Sequence, residues 1–197
     1  MAERWSPLHL RLHRHLLRQA ALLPEGTRLL VAVSGGQDSM ALVALLQDLQ
    51  RLHHWQLELW HGDHRWRPES SQQAKELSLW AANQGLTLHQ DTWQSQQNKP
   101  SEAAARSWRY ACLEKWARQL GCSTVVTGHT ASDRAETVLL HLARGSHRRG
   151  LASLPASREL APGLRLVRPL LVFSRSDTAQ LCRNLNLPIW LDSSNQD

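Results

Sequence analysis

Lysine is almost missing from this basic chain. Of 23 basic residues only Lys75, Lys99 and Lys115 are lysines, so the formal net charge of +6 comes from arginine. An arginine surplus suits a polyanionic partner such as nucleic acid, although a merely soluble basic surface would explain composition alone slightly better. Cysteine is scarce too: Cys112, Cys122 and Cys182 contain no Cys-x-x-Cys pair. That argues against a zinc knuckle or an iron–sulfur site, and a sparse, odd set of thiols suits a reducing cytoplasm. No apolar run approaches the roughly 20 residues of a membrane span. The N-terminus places Arg4, His9, Arg11, His13, Arg14, His15 and Arg18 among its leucines, so it has no signal-peptide core. Internal repeats and long low-complexity linkers are absent. The 197 residues are therefore expected to form one domain, with residues 1–27 as an N-terminal helix and 28–197 as the core.

What the chain does have begins at residue 29. Five apolar residues, Leu29 to Val33, run straight into Ser34-Gly35-Gly36-Gln37-Asp38-Ser39. Met40, Leu42, Val43, Leu45, Leu46 and Leu49 then follow at helical spacing. This pattern predicts a buried strand, a tight turn and a helix. Glycines let the turn's backbone approach a ligand, and Ser34, Asp38 and Ser39 can cap the helix start. Turn amides and a helix N-terminus together attract an anion, most plausibly phosphate. No Gly-Lys-[Ser/Thr] follows, so this is not a Walker A loop. Nor is it the Gly-x-Gly-x-x-Gly of dinucleotide binders. Asp38 would repel phosphate, which makes sense if it holds Mg²⁺. Ser-Gly-Gly-x-Asp-Ser resembles the pyrophosphate loop of the N-type ATP pyrophosphatases, which split ATP between its α and β phosphates and leave an adenylated substrate.

Along the rest of the chain, Pro7–Leu23 predicts an amphipathic helix with a basic outer face, a packing element that could also touch nucleic acid. Strands are expected at 28–33, 56–60, 87–93, 123–127 and 164–171, the last interrupted by Pro169 and so at or near an edge. Helices are expected at 38–52, 68–84, 101–119, from a cap at Ser132 or Asp133 to 144, and from Ser174 or Ser176 to 185. Alternation of strands and helices implies an α/β fold: a doubly wound, mainly parallel five-stranded sheet with helices on both faces. Ligands in such sheets bind beyond the C-terminal strand ends. The Ser34–Ser39 turn, the His61–Arg67 turn and the His129–Glu136 turn all fall there, so three polar clusters would meet in one crevice.

Within those clusters, His129 could approach ATP phosphates and, if protonated, stabilise charge as pyrophosphate leaves. Asp133 and Glu136 are three apart and share a helical face, fit for a metal or an ammonium group. Plain helix-start acids would look the same. Arg106, Arg109 and Tyr110 form another stripe, suited to a phosphate or nucleotide, although Glu102 could simply pair with Arg106. His61-Gly62-Asp63-His64 shapes the pocket more readily than it binds a metal, since no third ligand is evident. Trp80, Trp108 and Trp116 are expected in the core; Trp66, between Arg65 and Arg67, is the candidate for base stacking.

Taken together, Ser34–Ser39, His61–Arg67, Glu102–Tyr110, His129–Thr137, Leu139–Ser146, Arg168–Leu171 and Asp192–Asn195 resemble the tRNA(Ile)-lysidine synthetases, in family order. The resemblance implies a fold like that of the adenine nucleotide alpha hydrolases, which is Rossmann-like. It also implies a carbon–nitrogen ligase using ATP and Mg²⁺. ATP would adenylate the C2 carbonyl oxygen of the wobble cytidine in a CAU-anticodon tRNA(Ile), and free L-lysine would displace AMP. By the same resemblance, Ser34, Gly35, Gly36, Gln37, Asp38, Ser39, His61 and His129 bind ATP, with Asp38 on Mg²⁺. Asp133 and Glu136 recognise lysine. Asp38, His129, Arg106 and Arg109 are the catalytic groups. Ser132 stands where the family usually has Asp, and Asp63 where it has Asn. The family usually continues past Asp-x-x-Asn into an arginine-rich segment and tRNA-binding domains; this chain stops at Asp197, which would leave it the catalytic domain, weak in tRNA binding. A homodimer is an open arrangement. Rival readings are a tRNA thiolase, an amide-forming synthetase, or a non-catalytic tRNA- or nucleotide-binding module.

Overall fold

Leu29, Leu30 and Val31 are fully buried, and the chain is layered around them. Successive side chains of a strand point to opposite faces. Leu29 and Val31 enter one core with Leu12, Leu45, Leu49, Leu77 and Leu181. Leu30 enters another with Trp60, Leu113, Val125 and Leu166. A strand buried on both faces has helices on both sides of its sheet.

The computed structural model describes residues 5–65, 69–94, 101–143 and 154–190. Among these the chain runs α1 (Pro7–Arg18), β1 (Arg28–Ala32), α2 (Gln37–His53), β2 (Gln56–Asp63), α3 (Ser70–Asn83), β3 (Thr87–Thr92), α4 (Glu102–Leu120), β4 (Thr124–Val126), α5 (Ala131–Ala143), β5 (Ser157–Ala161), β6 (Leu164–Val167) and α6 (Arg175–Asn184), with a 3-10 turn at Pro169–Val172. The candidate stacker Trp66, the basic loop at 145–151 and the closing stretch 192–195 lie outside the described residues.

The sheet has six strands in the order β3-β2-β1-β4-β6-β5. All neighbours are parallel except β5 and β6. The expected five-strand count is therefore corrected to six. The missed strand, β5, carries Ser157, Arg158 and Glu159 on an outer edge, where one side of the ladder faces no partner and polar residues are at home. It flanks β6, so residues 164–167 lie one strand in from the edge, near it as expected for 164–171. That segment is shorter: β6 stops at Val167, because Pro169 lacks an N–H and opens the 3-10 turn instead. A second correction concerns residues 61–63, which extend β2 and pair with Gln90, Asp91 and Thr92 rather than forming a turn. Helix α1 ends at Arg18, five residues short of Leu23. The expected core tryptophans Trp80, Trp108 and Trp116 are only half-buried against the core, whereas Trp55 and Trp60 are inside it.

Strands β1 and β4 lie side by side. The helix after β1 leads toward β2, while the helix after β4 leads toward β6. The winding reverses between them, and this leaves a crevice at their C-terminal ends. Gly128 closes its floor: a Cβ there would lie 2.9 Å from the Asp38 carbonyl oxygen and 3.0 Å from the Ser39 Cα. Gly128→Ala must push β4's exit away from the start of α2. We expect a loss of about 1–3 kcal/mol, the usual cost of overpacking, read as a lower urea midpoint at an unchanged m-value.

Candidate active site

The loop after β1 is held by its own serines. Ser34 N–H donates to Ser39 Oγ at 3.2 Å, Gly36 N–H donates to Ser34 Oγ at 3.2 Å, and Ser39 Oγ donates to the Gly36 carbonyl at 2.8 Å. Gly35 has a φ of +84°, which a side chain resists. No side chain caps α2 at Gly36, and the first amides of a helix have no intrahelical acceptor. That is an anion cradle. Trp190 braces it from outside: its N–H donates to the Gly35 carbonyl at 3.0 Å, and its indole N–H donates to Glu76 at 2.7 Å.

His61 lies under the loop. Its Nδ1 is 2.8 Å from the Val33 carbonyl, which can only accept, so Nδ1 carries the hydrogen. Burial lowers its pKa. Asp63 spends its two oxygens on Arg65 N–H at 2.9 Å and Ser71 Oγ at 3.2 Å, as a turn-stabilising carboxylate does. Among the described residues no group of three or more His, Cys, Asp or Glu is arranged to hold a metal ion.

On one side the crevice is basic. Arg106 lies 5.1 Å over the Tyr110 ring rather than pairing with Glu102, and Arg158 of β5 lies 4.9 Å from the same ring. Arg109 Nη2 donates to His64 Nε2 at 3.2 Å, and burial with Arg109's charge drops His64 to a pKa of about 4. Arg168 is 2% exposed, donates to the Pro155 carbonyl at 2.9 Å and leaves its Nε without a partner. His129 sits between these arginines and the loop. Burial, then Arg168, Arg106 and Arg109, push its pKa down to about 4, against the pull of Asp133. In the ligand-free protein its ring is therefore neutral near pH 7; the sequence alone leaves its protonation open.

The other side is acidic. Asp133 does not cap α5 as a first residue. From the third helical position it reaches back, and its Oδ2 accepts Thr130 N–H at 2.6 Å and Thr130 Oγ at 2.9 Å. Its Oδ1 stays free for the crevice and accepts Arg175 Nη2 at 3.0 Å. Glu136 Oε1 accepts Arg175 Nη1 at 3.2 Å. Asp38 Oδ1 accepts the Thr178 hydroxyl, and Asp38 Oδ2 lies 3.8 Å from Arg175 Nε. Burial, reinforced by Asp133, raises the Asp38 pKa despite Thr178 and Arg175. Ser132, where the family usually has Asp, accepts Arg175 N–H at 3.1 Å. Arg175 was missed by sequence reading: it stands well over thirty residues beyond Glu136, and only the sheet order brings it back.

Residues 9–197 match the PP-loop domain family. The chain belongs to that family. Relatives include tRNA(Ile)-lysidine synthases from Parasynechococcus marenigrum, 54% identical over all of this chain and 59% of that protein, and from a Synechococcus strain, 50% identical over 98% and 58%. The chain thus spans less than two thirds of these relatives' length. In fold it resembles the U34-tRNA thiolase NcsA from Methanococcus maripaludis, solved with its [4Fe-4S] cluster, at a TM-score of 0.74 and 15% identity over 92% of this chain and 64% of that one. The doubly wound fold is the expected one, and Ser34–Ser39 is the segment whose pattern resembles a PP-loop.

The neutral His129 has a measurable consequence. An unfolded histidine titrates near 6.5 and the folded one near 4, so the unfolded state binds more protons in between. Stability falls as pH drops through that window. Imidazole NMR should show His129 neutral at pH 6, and pyrophosphate should move its midpoint upward. A midpoint near 6.5 without ligand would contradict this site's electrostatics.

Proposed function

We propose that this chain is the ATP-using part of a tRNA(Ile)-lysidine synthase. The observation that carries the reading is the pairing of Asp133 and Glu136 on one cation, Arg175, beside the PP-loop. The carboxylates form a cation site of the kind an amine nucleophile needs, next to an anion cradle suited to pyrophosphate. The relatives' names, all lysidine synthases, point the same way.

In this reading the PP-loop amides bind the β and γ phosphates of ATP. Arg106 and Arg109 receive the anionic side of the target nucleotide. The cytidine C2 oxygen attacks the α-phosphorus and pyrophosphate leaves. His129, neutral before ATP binds, offers its ring N–H as a hydrogen-bond donor to the phosphate charge that gathers beside it. Asp133 and Glu136 hold the ammonium-bearing substrate, lysine; its ε-amine, after giving a proton to solvent, attacks C2, the C2–O bond breaks, AMP departs with the oxygen, and the surplus proton on the new nitrogen passes to water. Oxygen donors at Asp38 and Asp133 suit Mg²⁺, and a cation there would offset the burial, reinforced by Asp133, that raises the Asp38 pKa. Asp38 would hold the ion, which would screen the triphosphate. The reaction needs no cysteine, and the chain's three thiols are buried and unpaired, with pKa values pushed up to about 11 by burial. Cys112 and Cys122 pack on one face of the sheet and Cys182 on the other, so they do not form the cluster a thiolase reading would want. Among the described residues no helix is long and apolar enough to cross a membrane; we place the reaction in the cytoplasm.

Radiolabelled lysine, ATP and a CAU-anticodon tRNA(Ile) transcript test the reading, with a wobble-U transcript as control. Label should enter only the wobble-C tRNA, with AMP formed. AMP formation without label transfer would point to another nucleophile. Asp38→Ala should lower adenylation by roughly 10²-fold or more, the scale of losing one transition-state stabiliser. Glu136→Gln should raise the KM for lysine by about 10- to 100-fold, as losing one charged hydrogen bond of roughly 1.5–3 kcal/mol implies, while adenylation without lysine persists. An unchanged KM would remove Glu136 from the amine site.

A further inference from the structure

Arg175 occupies the place that the proposed reaction reserves for its amine. Its three guanidinium nitrogens each face a different carboxylate: Nη2 to Asp133 at 3.0 Å, Nη1 to Glu136 at 3.2 Å and Nε to Asp38 at 3.8 Å. Asp133 Oδ2 is already used by Thr130, so Asp133 Oδ1 and Glu136 Oε1 are the oxygens left to bridge an ammonium between the two side chains, and Arg175 Nη2 and Nη1 occupy them. An ammonium group held between both carboxylates must therefore displace the guanidinium.

The backbone of Arg175 is pinned while its side chain is not. Its N–H donates to Ser132 Oγ at 3.1 Å, and its carbonyl accepts Gln37 Nε2 at 2.7 Å and Thr178 Oγ at 3.0 Å. Ser174 caps the same helix end in a reciprocal pair with Asp177. The side chain, in contrast, is 50% exposed. Gln37 belongs to the PP-loop and Ser132 to the start of α5, so the pivot is tied to both halves of the site. Within reach of that pivot, Asp38 already draws Nε toward the loop. A bound triphosphate would be the strongest anion there, and a planar guanidinium suits phosphate oxygens.

We propose that Arg175 is a movable internal cation that fills the amine site until ATP binds and then transfers to the phosphates, so that ATP must bind before the amine. Arg175 is a positioning residue in this scheme. It lets the carboxylates stay paired in the empty site, and it withholds the amine until there is a triphosphate to react. The identity of the amine as lysine rests on the function proposed above; the exchange of Arg175 between carboxylate and phosphate does not.

The test uses equilibrium dialysis of radiolabelled lysine with and without α,β-methylene-ATP. The unsubstituted protein should bind lysine at least about tenfold more tightly with the analogue, as expected when the open state is a minor population. Arg175→Ala should bind lysine equally with and without the analogue, near the analogue-bound affinity. Arg175→Lys, which keeps a cation, should restore part of the dependence. Where lysine binds, persistent analogue dependence in Arg175→Ala, or none in the unsubstituted protein, overturns the proposal. A second measurement needs no amine. The ¹⁵Nε–H signal of Arg175, assigned with the Arg175→Lys variant, should shift on adding the analogue alone. An unmoved signal at saturation overturns the proposal. Should that signal move while no form of the protein binds lysine, the exchange stands and the choice of lysine falls.

Discussion

Charge separation at the junction of β1 and β4 is the constraint on which the site depends. Two parallel strands end beside each other, and the chain leaves them in opposite directions. Whatever follows β1 and β4 must therefore share one crevice. Here an anion cradle follows β1, a histidine and two carboxylates follow β4, and α6 closes the acidic side. Arginines from α4, from β5 and from the residue after β6 supply the other side. Polyphosphate and ammonium are drawn to neighbouring but different places, as an adenylation followed by amine attack requires.

The supporting shell explains why the acidic side holds its shape. Asp133 uses one oxygen to close the start of α5 and keeps the other for the crevice. Asp38 is steadied by Thr178 of α6, and Gln37 bonds both that threonine and the Arg175 carbonyl. Like charges this close would scatter without a cation, so Arg175 is part of the resting structure and not an ornament on it. Gly128 matters for a different reason: only a residue without Cβ lets β4 come within contact of the loop.

Much of this was legible in the sequence. Five apolar residues before a glycine turn and a helical pattern pointed to a buried strand, and Leu29, Leu30 and Val31 are buried in β1. The three-residue spacing of Asp133 and Glu136 put both carboxylates on one face before any fold was known. Other parts were not legible, for physical reasons. Strand β5 is short, polar and antiparallel at an edge, and its best signal was the Pro162-Gly163 turn that joins it to β6. Arg175 looked like one more arginine at a helix start, because long-range pairing leaves no trace in local spacing. The charge state of His129 depends on burial and on Arg168, Arg106 and Arg109, none of them its sequence neighbour, so the sequence left its protonation open.

Amide hydrogen exchange with and without a non-hydrolysable ATP analogue is the most direct test that these segments form one site. Protection should rise together in residues 34–39, 129–133 and 174–178. Protection confined to residues 34–39 would mean that the loop binds nucleotide alone, and the shared crevice would be wrong.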